Sequence, residues 1–183
     1  AAHPHGMDFG PLQPRLPANL ATGSGRVELA PPSIVADVDR LVATLDQGGA
    51  SLVLVGRRHL RTNNSWMHNL PMLARGELCT LQVHPDDARA RGLADGELAE
   101  VRSPVGAVTA PVEMTEDLRP GVVSLPHGFG HDLDGIELTV ARRRPGVNSN
   151  VLTDRDDLDV PSGTAVLNGI DVEVSPVEAG AGR

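Results

Sequence analysis

The chain has 183 residues, enough for one domain or one domain with an appended segment, and it carries a formal charge of −8. Its single cysteine, Cys79, excludes a disulfide framework, a Cys-rich zinc site and an iron–sulfur cluster ligated by this chain alone. No apolar stretch approaches the ~20 residues of a membrane-spanning helix, and no secretory apolar segment is present, so the chain is read as cytoplasmic.

With two Phe, one Trp and no Tyr, any core must be built from Val, Leu, Ile and Ala. Residues 1–33 are rich in proline and poor in periodicity, and read as an extended leader. Next, Ile34, Val38, Leu41, Val42 and Leu45 fall at helical spacing, which predicts one short helix within 34–48, stopped at Gln47-Gly48-Gly49. Residues 51–57 read as a buried strand and "ELCTLQVH" (77–84) as a second, with Cys79 a small core residue. In "HPDDARARGL", Pro85 suits the first helical position, Asp86 and Asp87 complement the helix dipole, and Gly92 ends the helix. Residues 96–114 read as a hairpin turning at Ser103-Pro104-Val105-Gly106. Residues 118–131 give a turn, a short apolar strand and a Gly-rich loop, and "IDVEVSP" (170–176) a last strand. The order is about six short strands with two or three short helices. Without long helices between strands, a small closed barrel is the natural architecture over 49–178, followed by a tail at 179–183.

The acids are unevenly spread. None occurs in 47–76, in 118–131 or in 138–153, while those windows hold eight of the sixteen basic residues, all arginine. The stretch "VGRRHLRTNNSWMHN" (55–69) gathers three Arg, two His, three Asn and the only Trp directly after the first strand. An acidic chain with three acid-free, donor-rich segments is arranged to accept an anion. The windows are too short, and aromatics too few, for a nucleic-acid track. There is no Walker A sequence, no G-x-G-x-x-G after a strand, no H-E-x-x-H and no G-x-S-x-G. His127 and His131 have i, i+4 spacing but lack a third ligand, so no metal site is assigned.

Five segments in order resemble the C-terminal dinucleotide-binding domain of the molybdopterin oxidoreductases, the bis-molybdopterin-guanine-dinucleotide enzymes such as formate dehydrogenase and nitrate reductase. They are "LATGSGRVELAP" (20–31), "GRRHLRTNNSW" (56–66), "VHPDDARARGLADGELAEVRSPVGAV" (83–108), "LRPGVVSLPHGFGH" (118–131) and "GVNSNVLTDRDDLDVPSG" (146–163). The resemblance implies a mainly β fold with short helices, the six-stranded double-psi β-barrel. It implies that the acid-free windows are cofactor loops, with Arg57, Arg58, His59, Asn63, Asn64, Ser65 and Trp66 in the first. His127, Gly128, Phe129 and His131 belong to the second, and Asn148, Asn150 and Thr153 to the third.

Under this resemblance the cofactor is molybdopterin guanine dinucleotide, bound in the full enzyme with molybdenum or tungsten held elsewhere, and not by this chain alone. The partners are the N-terminal domains of the same oxidoreductase, with no nucleic acid and no membrane. The chain has no catalytic residue of its own and is expected to be inactive in isolation, the cofactor carrying the redox chemistry. A stand-alone barrel acting as a binding module is the competing reading. The "GSGRVEL" and "NSNVLT" segments weigh against it, since neither is needed to close a barrel.

Overall fold

The computed structural model describes residues 2–45, 52–74 and 78–177. The chain divides into two compact units, Ala1–Thr44 and Leu45–Arg183. In the first, most of the leader is irregular and two short helices follow, α1 (Pro32–Val35) and α2 (Val38–Leu45). The single helix expected from residue 34 is therefore broken at Ala36-Asp37. The carboxylate of Asp37 is held by Arg40 through two contacts of 2.7 Å, and its carbonyl accepts from the Leu41 N–H of α2. Asp37 thus serves as a start signal for a new helix, a role that short polar side chains fill better than a helix interior. The expected stop at 47–49 lies outside the described residues, as does the tail.

Among its described residues the second unit holds eight strands: β1 (Leu52–Arg57), β2 (Leu81–Val83), β3 (Leu98–Arg102), β4 (Ala107–Met114), β5 (Val122–Pro126), β6 (Leu158–Asp159), β7 (Thr164–Ala165) and β8 (Ile170–Pro176). Six of them close a barrel in the order β1-β5-β2-β4-β3-β8, while β6 and β7 pair as a small ribbon. The β1–β5 and β2–β4 pairs are parallel and the others in the barrel antiparallel. Exchanging β1, β2 and β3 with β4, β5 and β8 returns the same cyclic order, and swaps one parallel pair for the other. Two interlocked halves related in this way are the double-psi arrangement.

Alternation explains the core. Leu52 and Leu54, Leu81 and Val83, Ala99 and Val101, Ala110 and Val112, Val123 and Leu125, and Val172 and Val174 point inward and are nearly or fully buried. Each buried leucine or valine among them contributes about 1.5–3 kcal/mol. Helix α3 (Pro85–Arg91) runs as the sequence indicates: Asp86 N–H donates to His84 Nδ1, and Gly92 takes a left-handed φ of 66° as C-cap. Ser103 N–H donates to Gly106 carbonyl at 2.8 Å, closing the β3–β4 turn where expected. The second strand is shorter than read: Cys79 and Thr80 precede it, and Cys79 is buried against Val147 and outside the barrel's central cluster.

Candidate functional site

Because β1 and β5 are parallel and β8 is antiparallel to β1, the C-terminal ends of β1 and β5 meet the N-terminal end of β8 at one rim. The loop after β1 (58–74), the loop after β5 (127–131) and the segment 145–153 all emerge there. They interlock through glycines. A Cβ on Gly128 would lie 2.6 Å from the Asn64 carbonyl oxygen, and one on Gly130 would lie 2.7 Å from Asn148 Cβ. A Cβ on Gly146 would strike Phe129 and Cys79, both at 2.6 Å. These three glycines have positive φ, so the backbone conformation and the close approach each demand glycine. The carbonyl of Pro145 accepts from both the Gly130 and the His131 N–H.

The interlocked loops enclose a cleft of about 280 Å³ lined by Leu54, Gly56, Arg58, Asn64, His127, Ser149, Asn150, Thr153, Leu167, Asn168 and Ile170. No carboxylate is among these residues. The carboxamides share a polarity. Asn64 Oδ1 accepts from Arg58 Nη1 (2.9 Å) and contacts His127 Nε2 (3.0 Å), so that imidazole nitrogen carries the proton. Asn168 Oδ1 accepts from Gly56 N–H at 2.6 Å, and Asn148 Oδ1 from Asn150 N–H at 3.1 Å. These three amide oxygens are committed to the protein, which leaves their NH2 groups as donors. Asn63 and Asn64 adopt φ of 41° and 62°, a conformation asparagine tolerates better than most residues.

The expected site residues divide sharply. Arg58, Asn64, His127, Asn150 and Thr153 line the cleft. Asn63 is exposed and Ser65 half-buried in the same loop, and Trp66 is 78% exposed, so it packs under nothing. His59, Phe129 and His131 face away from the cleft and gather with His68 in a ring cluster. Phe129 lies 4.3 Å from His68 between ring centres, and His68 Nδ1 meets His131 Nε2 at 2.7 Å. His131 also hydrogen-bonds the Gly128 carbonyl, which can only accept. Burial pushes His131 below the ordinary histidine value, against Asp132 and the Gly128 carbonyl, which favour its cation.

Arg57 is spent on the barrel itself. Its guanidinium donates to Ser124 carbonyl, to Thr80 carbonyl and to Thr80 Oγ1, each at 3.0 Å, and to His59 Nε2 at 3.2 Å. Thr80 and Gln82 in turn hold Glu113, which faces Arg57. Burial raises Glu113, but those two hydrogen bonds and the charges of Arg57 and His59 outweigh it, and its carboxyl lies below the usual range. Burial lowers Arg57, opposed by Glu113 and Cys79.

The charge windows overstate the positive rim. Of their seven described arginines only Arg58 lines the cleft. Arg119 precedes β5 and so sits at the far end of that strand, Arg142 donates to Ile136 carbonyl, and Arg75 lies outside the described residues. Two contributors went unread in the sequence. Asn168 stands before β8 without flanking basic residues. Asn69 accepts from Val140 and Ala141 N–H groups, tying the first loop to the segment leading into the third. The "NSNVLT" segment does help to close the barrel, contrary to expectation: Leu152 is fully buried in the core while its polar neighbours face the cleft. Among the described residues no group of three or more His, Cys, Asp or Glu could hold a metal, and no helix is long and apolar enough to cross a membrane.

A double-psi barrel whose rim presents amide and guanidinium donors, with no carboxylate, is a protein built to hold an acceptor-rich anion. Residues 52–170, more than half of the chain, match the molydopterin dinucleotide binding domain, and the chain belongs to that family. It is 31% identical over 80 residues to the molybdopterin-containing ArrA protein of the arsenate respiratory reductase of Chrysiogenes arsenatis, covering 42% of this chain and 10% of that protein. It is 29% identical over 112 residues to the tetrathionate reductase of Salmonella typhimurium, covering 52% and 11%. Acetylene hydratase from Pelobacter acetylenicus shares the fold, with a TM-score of 0.60 at 21% identity over 78% of this chain and 20% of that one. The chain thus spans about a tenth of the length of these curated relatives.

Proposed function

We propose that the rim cleft holds the pyrophosphate and adjoining pterin of molybdopterin guanine dinucleotide, and that Arg58, Asn64, His127, Ser149, Asn150 and Thr153 are its contacts. The observation that carries this reading is the polarity of the cleft: the Asn64 and Asn168 amide oxygens are tied to protein N–H groups, so their NH2 groups and the remaining N–H groups of the Arg58 guanidinium face the ligand. A phosphate or pterin carbonyl offers only acceptors to such a wall. When bound, the pterin dithiolenes hold the metal that carries the redox chemistry. This chain's share is to bind and orient. Arg58 and His127 are fixed against Asn64, so the donors meet the anion in a prepared geometry. The glycine contacts at 128 and 130 keep the three loops in register.

In this reading the domain works within a larger molybdenum or tungsten oxidoreductase of the formate dehydrogenase or nitrate reductase type, whose N-terminal domains cover the other side of the cofactor. The test is the full-length protein with Arg58→Gln, assayed for guanine nucleotide released by acid and for molybdenum per chain. Both are expected to fall severalfold, since a charge-assisted contact contributes about 1.5–3 kcal/mol. Wild-type content would overturn the assignment of the cleft.

A further inference from the structure

The β1–β8 ladder ends where Leu54 faces Ile170. Gly169 N–H donates to the Leu54 carbonyl at 3.0 Å, and the next rung, Gly56 against residue 168, is made by a side chain. Gly56 N–H donates to Asn168 Oδ1 at 2.6 Å. A backbone N–H cannot accept, so the atom facing it is the carboxamide oxygen, and Nδ2 is the end left over. Gly56 leaves space for this contact, as a Cβ there would lie 3.2 Å from that oxygen. Asn168 stands in the same wall as Arg58, Asn64 and His127.

We propose that Asn168 is a fourth-segment ligand contact of the cleft, its NH2 donating to a phosphate oxygen of the bound dinucleotide. The inference rests on the reading that the cleft holds the dinucleotide. It assigns Asn168 two roles on two atoms: Oδ1 extends the strand pairing at the end of β1, and Nδ2 meets the ligand. One side chain then sets the ligand's position relative to the barrel, because the same planar amide touches both.

The two roles separate in Asn168→Asp. A carboxylate keeps the shape and still accepts from Gly56 N–H, but it replaces the donor with a negative charge facing the phosphate. In the full-length protein prepared without cofactor, the Asp variant should unfold at the wild-type temperature. After cofactor loading, its guanine nucleotide and molybdenum content after gel filtration should fall about tenfold or more, the loss expected for one charge-assisted hydrogen bond. A purely structural Asn168 predicts full content in Asp and loss only in Ala. Arg58→Gln is run alongside. If Arg58→Gln loses cofactor and Asn168→Asp retains it, the role of Asn168 is overturned and the cleft stands. If both retain it, the cleft itself is wrong, and this inference falls with it. Should the Asp variant not accumulate, Asn168→Ser is used in its place: it removes both ends of the amide without adding charge, and wild-type cofactor content in it overturns the proposal.

Discussion

His127 and His131 lie four residues apart on one loop and face opposite ways. His127 looks into the open cleft, sharing Asn64 Oδ1 with Arg58. His131 is 5% exposed and meets His68 at 2.7 Å in a cluster with Phe129 and His59. The two regions share a backbone and differ in what their polar groups are committed to. In the cluster, side chains are used on each other and fix the loop. In the cleft, acceptors are used on the protein and donors are left over. The glycines between them make the division possible, because only at Gly128 and Gly130 can the neighbouring loops come within contact of the backbone. A short loop can therefore be both seam and ligand wall, one face for each.

The comparison breaks most readily at the seam. Gly130→Ala combines a φ of 101° with a Cβ lying 2.7 Å from Asn148, and is expected to destabilise the protein by about 2–4 kcal/mol, read by denaturant unfolding. The same change should lower cofactor content, since seam and wall move together. Phe129→Ala removes the ring beside His68 and His131 and should cost about 2–3 kcal/mol, less than a fully buried ring because Phe129 is half-buried. Arg57→Ala strips donors from Ser124, Thr80 and His59, and is expected to cost about 1–3 kcal/mol while acting on the cofactor only through the loop it anchors. Arg58→Gln provides the contrast: unfolding within about 0.5 kcal/mol of wild type, with lowered cofactor content.

Acid sharpens the same division. His131 and Glu113 both have pKa values depressed in the fold. A group depressed on folding stabilises above its unfolded value, and that contribution is lost as pH falls through the folded value. Stability should accordingly decline first as pH drops below the ordinary histidine value of 6.5, because the unfolded chain takes up a proton there while burial keeps folded His131 neutral. It should decline again below the ordinary glutamate value of 4.5. Of the groups that face His131, Asp132 and the Gly128 carbonyl favour its cation and burial beside His68 opposes it. His131→Asn is expected to flatten the first step in a pH series of thermal unfolding and leave the second, whereas an unchanged first step would remove His131 as its source.

What the sequence determined by itself was local. The alternation of Leu52, Leu54, Leu81, Val83, Ala99 and Val101 defines strand faces, Pro85 and Gly92 bound α3, and Ser103–Gly106 turns the hairpin. The three acid-free windows include the loops that meet at the rim, and no carboxylate lines the cleft between them. Tertiary structure alone decided which face of each loop looks where. Arg57 and Arg58 are adjacent and chemically identical, yet one spans the outer surface of β5 to reach Thr80 and the other enters the cleft. Strand alternation turns successive side chains to opposite faces, and which face is the site depends on closure of the barrel. Asn168 was invisible for the same reason. Its position opposite Gly56 exists only once β8 returns beside β1, over a hundred residues later, and a ladder between distant segments leaves no mark in local composition.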